Sequence, residues 1–155
     1  GAIINCGDVD HLRKQFNVPA NEPMAAYLHS PIQSSKREKF SLEKVLPTCL
    51  QFAASRLAAG LKVLICCEDG EKKSVCIALC ILLRHFNHPL EKPFKFHASC
   101  NREITKEDVR QRLMVVSTYH PQSRPTRGLL RQVFNFLLTY NPDGDIQADD
   151  SAYEL

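Results

Sequence analysis

Residues Val63 to Val75 read Val-Leu-Ile-Cys-Cys-Glu-Asp-Gly-Glu-Lys-Lys-Ser-Val. An apolar β-branched run, a short loop with cysteine, glycine and serine at set intervals, and a helix-compatible stretch leave few folds open. A strand has to hand over almost directly to a helix. At such a junction successive amide N–H groups turn inward around an anion, and the positive end of the helix favours negative charge. Gly70 permits a φ/ψ closed to other residues. Ser74 is placed to cap the helix, and Cys67 sits at the helix N-terminal end, where a thiol pKa falls. The layout is that of a phosphate-binding loop built from Cys67, Glu68, Asp69, Gly70, Glu71, Lys72, Lys73 and Ser74.

The spacing Cys67-x5-Lys73-Ser74 resembles the Cys-x5-Arg-Ser/Thr signature of tyrosine and dual-specificity phosphatases, with two departures. Lys73 stands where that signature has arginine, and Cys66 where it has histidine. Chemistry of that kind needs a thiolate, an arginine fork on two phosphoryl oxygens, and an acid for the leaving oxygen. Cys67 supplies the first. Lys73 offers a point charge without the planar fork, so ground-state binding survives better than transition-state grip. The acid is expected a few tens of residues upstream, where Ser30 to Lys39 contains Glu38 but no aspartate. The cradle is therefore kept while much of the hydrolytic apparatus is altered, and Cys67 reads more as a relic thiol than as a working nucleophile.

The rest of the chain alternates strand and helix. Strands are expected at Ala2 to Cys6, Ala25 to His29 and Lys62 to Cys66, the last apolar throughout and hence central, buried on both faces of a parallel sheet. Helices are expected at Val9 to Phe16, at Ser41 to Ala59 with Gly60 as C-cap and Pro47 beginning or kinking it, and at Ser74 to Phe86. Thr105 and Asp108 form a capping-box-like start for a helix to Tyr119, with Val109, Leu113 and Val116 as its core stripe. Thr126 caps a last helix with Leu129, Leu130, Val133, Phe134, Leu137 and Leu138 on its apolar positions. The reading is an α/β fold with a short, mainly parallel sheet flanked by helices over residues 1–140. An acidic, disordered tail is expected at 141–155, and the polar basic stretch Gln33 to Lys39 is expected to be the most mobile part of the body.

Composition matters chiefly through charge and cysteine. The formal net charge of +3 conceals five acids and no base in residues 141–155, so the first 140 residues hold all 20 bases against the remaining 12 of 17 acids, a net +8 that suits a polyanionic partner. Seven cysteines without a secretory signal read as reduced intracellular thiols, and Cys76 and Cys80, four apart, as core. No apolar run approaches a membrane span, so no membrane partner is expected. The chain opens almost directly in a strand, which suggests a domain cut from a longer protein.

Two rival chemistries stand beside this reading, one on the same residues and one on a histidine-rich segment further on. Type I phosphoribosyltransferases also join a buried strand to an acidic pair, which Val63 through Asp69 fits, but Gly-Glu-Lys-Lys follows where a Thr-Thr-Gly run is needed. Zinc ligation is suggested by His85 with His88 and by His97 with Cys100, yet the segment lacks a second cysteine pair, so no metal is expected. Arg124, Arg127 and Arg131 flank the start of the last helix, the latter two sharing a face, and read either as a solvated helix start or as a phosphate clamp.

Taken in order, Tyr27-Leu28-His29-Ser30-Pro31-Ile32, the loop Cys67-Glu68-Asp69-Gly70 with Ser74-Val75, Ile104-Thr105-Lys106 through Arg112-Leu113, and Pro125-Thr126-Arg127 through Phe136-Leu137 resemble the C-terminal domain of the initiator tRNA phosphoribosyltransferases, the tRNA 2'-O-ribosylphosphate transferases. The resemblance implies a dual-specificity-phosphatase-like fold inside a cytoplasmic enzyme. That enzyme moves ribosyl phosphate from phosphoribosyl pyrophosphate, with magnesium, to the 2'-hydroxyl of adenosine 64 in initiator tRNA. It implies initiator tRNA and an N-terminal transferase region as partners, and no cofactor in this domain. Lys36, Arg37, Arg124, Arg127 and Arg131 are then candidate tRNA or phosphate contacts.

Overall fold

The computed structural model describes residues 1–16, 26–33, 40–88, 91, 95–98 and 102–140. Lys36, Arg37, Glu38, Cys100 and the acidic tail lie outside them, as do the expectations placed on those residues. The order is β1 (Ala2–Asn5), α1 (His11–Phe16), β2 (Tyr27–His29), α2 (Ser41–Ala58), β3 (Val63–Cys66), α3 (Lys73–His85), α4 (Lys106–Tyr119) and α5 (Arg127–Thr139).

The three strands form one parallel sheet in the order β2-β1-β3, with Ile3 opposite Tyr27 and Leu64, and Asn5 opposite His29 and Cys66. This corrects the expectation for β3. Among the described residues it is an edge strand and β1 is central; Leu64 is 60% exposed. Alternation explains why the sequence misled. Ala2, Ile4, Val63 and Ile65 point to the helical face, while Ile3 and Leu64 point to the other, and an unbroken apolar run gives no hint that one face is open.

Helix α3 is the hub: it packs on α2, α4, α5 and β3, and Val75, Cys76, Ile77, Leu79, Cys80, Ile81 and Leu83 are all buried. Leu42, Leu46, Cys49, Leu50 and Ala53 of α2 face it across the core. Pro47 lies inside α2 rather than at its start, and Gly60 follows the helix at φ +74°, donating to Leu57 O (3.0 Å) in the left-handed turn expected of it. The capping box of α4 forms as read, with Thr105 Oγ1 accepting from Asp108 N–H (3.2 Å) and Asp108 Oδ2 accepting from Thr105 N–H (2.8 Å). Thr126 Oγ1 caps α5 through Leu129 N–H, whereas Leu138, counted among the apolar positions, is exposed. The sequence stripe on α4 missed its most buried member: Arg112 is fully enclosed and donates to Asn87 O (2.6 Å), and burial pushes its pKa down to about 10.

Candidate functional site

Strands of a parallel sheet present their carboxyl ends together, and there the loops after β1 and β3 meet. Cys67 leaves β3 and Gly70 turns the chain at φ +68°. Ser74 then falls inside the first turn of α3, whose N-cap is Lys72. Ser74 therefore does not cap the helix as expected. Its hydroxyl lies 3.2 Å from Cys67 Sγ and its N–H points to the same sulfur at 3.5 Å, so the residue binds the floor of the loop.

Beneath that floor lies Cys6, fully buried at the end of β1, whose thiol donates to Cys66 O (3.2 Å). The hydrogen bond from Cys6 is the largest influence holding the Cys67 thiol down to about 5, aided by Ser74 and the Gly70 amide against the opposing effect of burial. The same contact, with burial, drives Cys6 far upward, so one of the two sulfurs carries the charge and the other the proton.

The rim is different. Lys73, only 8% exposed, donates to Asp8 Oδ1 (3.1 Å) and to Glu68 Oε1 and Oε2 (3.3 and 3.4 Å). Burial pulls its pKa down, but the two carboxylates outweigh this and the ammonium is held firmly charged. Glu68 also accepts the Asp8 N–H, and its carboxyl sits below its ordinary range because that bond and Lys73 overcome its partial burial. Asp69 Oδ1 accepts the Glu71 N–H (2.8 Å), the main reason its pKa is lowered, and lies 3.4 Å from Cys67 Sγ; Oδ2 is 3.4 Å from Lys72 Nζ.

Asp8 is held by a polar network the sequence reading did not find. Asn5 Oδ1 accepts Gly7 N–H (3.0 Å), and Asn5 Nδ2 donates to Val9 O (2.9 Å). Asp10 accepts from Tyr27 Oη (2.7 Å) and pairs with Arg13 (3.2 Å) and His29 (3.5 Å). A Cβ at Gly7 would meet Asn5 Oδ1 at 3.1 Å and the Glu68 carboxyl at 3.3 Å, so a larger residue would press on the side chains that join the two loops. The signal available was Asn5-Cys6-Gly7-Asp8 at the carboxyl end of a neighbouring parallel strand, where ligand sites of open α/β sheets lie.

The connection between α4 and α5 closes the third side. His120 Nε2 donates to Gly70 O (2.9 Å) and Arg124 N–H to Glu71 O (2.8 Å). Arg124, Arg127 and Arg131 are exposed, and of these three it is the Arg124 backbone that is bonded to the loop. The described residues hold no group of three His, Cys, Asp or Glu side chains suited to a metal ion. No helix among them is long and apolar enough to cross a membrane.

Residues 26–137 match the family model described as Init_tRNA_PT: Rit1 DUSP-like domain. The fold is similar to that of the Yvh1 phosphatase domain from Chaetomium thermophilum (TM-score 0.56, 24% identity, over 96% of this chain and 81% of that one). It is also similar to PTP-2 phosphatase of Cydia pomonella (0.57, 15%, over 87% and 70%) and to human tyrosine phosphatase-like serine/threonine/tyrosine-interacting protein (0.56, 15%, over 87% and 75%). These likenesses fix a dual-specificity-phosphatase-like fold. No curated protein matches the sequence.

Proposed function

We propose, because the chain belongs to the Rit1 DUSP-like domain family, that it is the phosphate-holding part of an enzyme that transfers ribosyl phosphate from phosphoribosyl pyrophosphate to the 2'-hydroxyl of adenosine 64 of cytoplasmic initiator tRNA. Transfer chemistry, with phosphoribosyl pyrophosphate and magnesium, belongs in this reading to an N-terminal region of the same protein. The loop Cys67 to Ser74 receives a phosphate of the tRNA or of the transferred group.

The observation that carries the reading is the bond from Arg124 N–H to Glu71 O (2.8 Å). It fastens the arginine-bearing approach to α5 onto the loop, so that a phosphate in the loop and a backbone beside Arg124, Arg127 and Arg131 belong to one ligand. A net +8 over the first 140 residues favours such a polyanion. Lys73, a point charge already matched by two carboxylates, argues against hydrolysis, because no planar fork is available to follow the phosphoryl group into its transition state.

Binding of the domain to initiator and elongator tRNA over a salt series tests this. Tighter binding of initiator tRNA, with a salt slope that shrinks by about 0.9 when Arg124 is replaced by alanine, is the expected result. Equal, salt-independent binding contradicts it. Turnover of a phosphomonoester that disappears in Cys67→Ser replaces the reading with that of a phosphatase.

A further inference from the structure

Three carboxylates converge on a loop whose geometry suits an anion. Asp69 Oδ1 engages the Glu71 N–H at 2.8 Å and approaches Cys67 Sγ to 3.4 Å. An oxygen of a bound phosphoryl group would meet the same two partners, since it must accept from a loop amide while lying over the sulfur at the floor. The two lysines of the loop are also engaged: Lys73 is shared by Asp8 and Glu68, and Lys72 Nζ is 3.4 Å from Asp69 Oδ2.

We propose that Asp69 is an internal stand-in for the ligand, an autoinhibitory carboxylate that a phosphate must displace before it can enter the loop. The proposal rests on the reading of the loop as a phosphate site. A thiolate beside an ionised Asp69 is a like-charge contact, so when both are ionised the carboxylate is held by the Glu71 N–H and Lys72. Asp69 and Lys72 are both exposed to solvent, so a displaced carboxylate has open solvent to turn into.

Selectivity follows from this latch. Around the loop Asp8, Glu68 and Asp69 oppose Lys72 and Lys73, so a free phosphate ion meets an excess of negative charge and must displace the carboxylate unaided. A phosphate that is part of a nucleic acid held by Arg124, Arg127 and Arg131 arrives at a high effective concentration, which offsets the displacement. The latch thus makes the loop a reader of phosphate on a docked polyanion and a poor binder of the free ion.

Titration calorimetry of the folded domain with inorganic phosphate tests it, using the wild type, Asp69→Ala, Asp69→Asn and, as a charge control, Glu107→Gln on the exposed face of α4. The expected result is at least tenfold tighter phosphate binding by Asp69→Ala, an intermediate gain for Asp69→Asn, which keeps an acceptor without the charge, and no gain for Glu107→Gln. Equal binding by the wild type and Asp69→Ala overturns the latch while leaving the phosphate-site reading intact, as does an equal gain from Glu107→Gln. Binding by none of the four proteins overturns both.

Discussion

The floor of the loop and its rim are built from neighbouring residues and serve opposite ends. Below, Cys67 is surrounded by donors: Cys6 beneath it and the Ser74 hydroxyl and amide beside it, all fixed to β1 and α3. Above, the two lysines of the loop face carboxylates, with Lys73 between Asp8 and Glu68 and Lys72 against Asp69. The floor stabilises a negative sulfur, and the rim withholds the free positive charge that would draw in a second anion. Ionisation of a cysteine and use of that cysteine on phosphate are therefore separable properties of one loop.

The difference should first appear in stability. Ile77, fully buried on α3, belongs to the core, and Ile77→Ala is expected to cost about 2–5 kcal/mol in urea unfolding. Asp69→Ala on the rim is expected to stay within about 0.5 kcal/mol of wild type. Similar costs for both would mean that floor and rim are not distinct units. Between them stands Lys73→Ala, which strips a buried donor from two carboxylates that water can reach, with an expected loss of about 1–2 kcal/mol by the same measurement.

Titration sharpens the contrast further. Alkylation of Cys67 by iodoacetamide, followed by peptide mass, should keep an even rate above about pH 5 and fall below it, because the thiolate reacts and its pKa is about 5. In Cys6→Ala the midpoint should move upward toward the ordinary thiol value. The linked stability has a definite sign. A depressed folded pKa gives stability that is complete above the unfolded value near 9 and lost as pH falls toward about 5, so the wild type should gain on Cys67→Ser between those limits. Glu68 and Asp69, also lowered, act in a separate window, and their contribution disappears only on acidification through the carboxylate range. The smallest effect is expected from Arg131→Ala, one exposed guanidinium, as a change in tRNA salt slope of no more than about 0.9.

Much of this was legible in the sequence because it is local. The strand, the turn at Gly70, the helix from Lys73, the Thr105–Asp108 box and the Thr126 cap each depend on residues a few positions apart. What was hidden depends on sheet neighbours. Cys6 and Asp8 lie about 60 residues before Cys67 and Glu68 and meet them only because β1 and β3 run side by side with Asn5 opposite Cys66. His120 reaches Gly70 from the far end of α4, which packs on α3, the helix that follows the loop. The departure at Lys73 was visible as a lost fork, but not that two carboxylates would share what remained, since Asp8 gave no sign of its destination. Ser74 was placed near the right atom with the wrong partner: proximity to a helix start suggested a cap, and the sulfur 3.2 Å away took the hydroxyl instead.

Cys67 also reports on the account as a whole, because it lies at the bottom of the site assigned to a tRNA phosphate. The rate of Cys67 alkylation at neutral pH, measured with and without saturating initiator tRNA, is the most direct test. A phosphate seated in the loop should slow the reaction at least tenfold, and high salt should restore it as the tRNA leaves. An unchanged rate while the tRNA is demonstrably bound would place the nucleic acid elsewhere on the domain and contradict the phosphate-holding role of the loop.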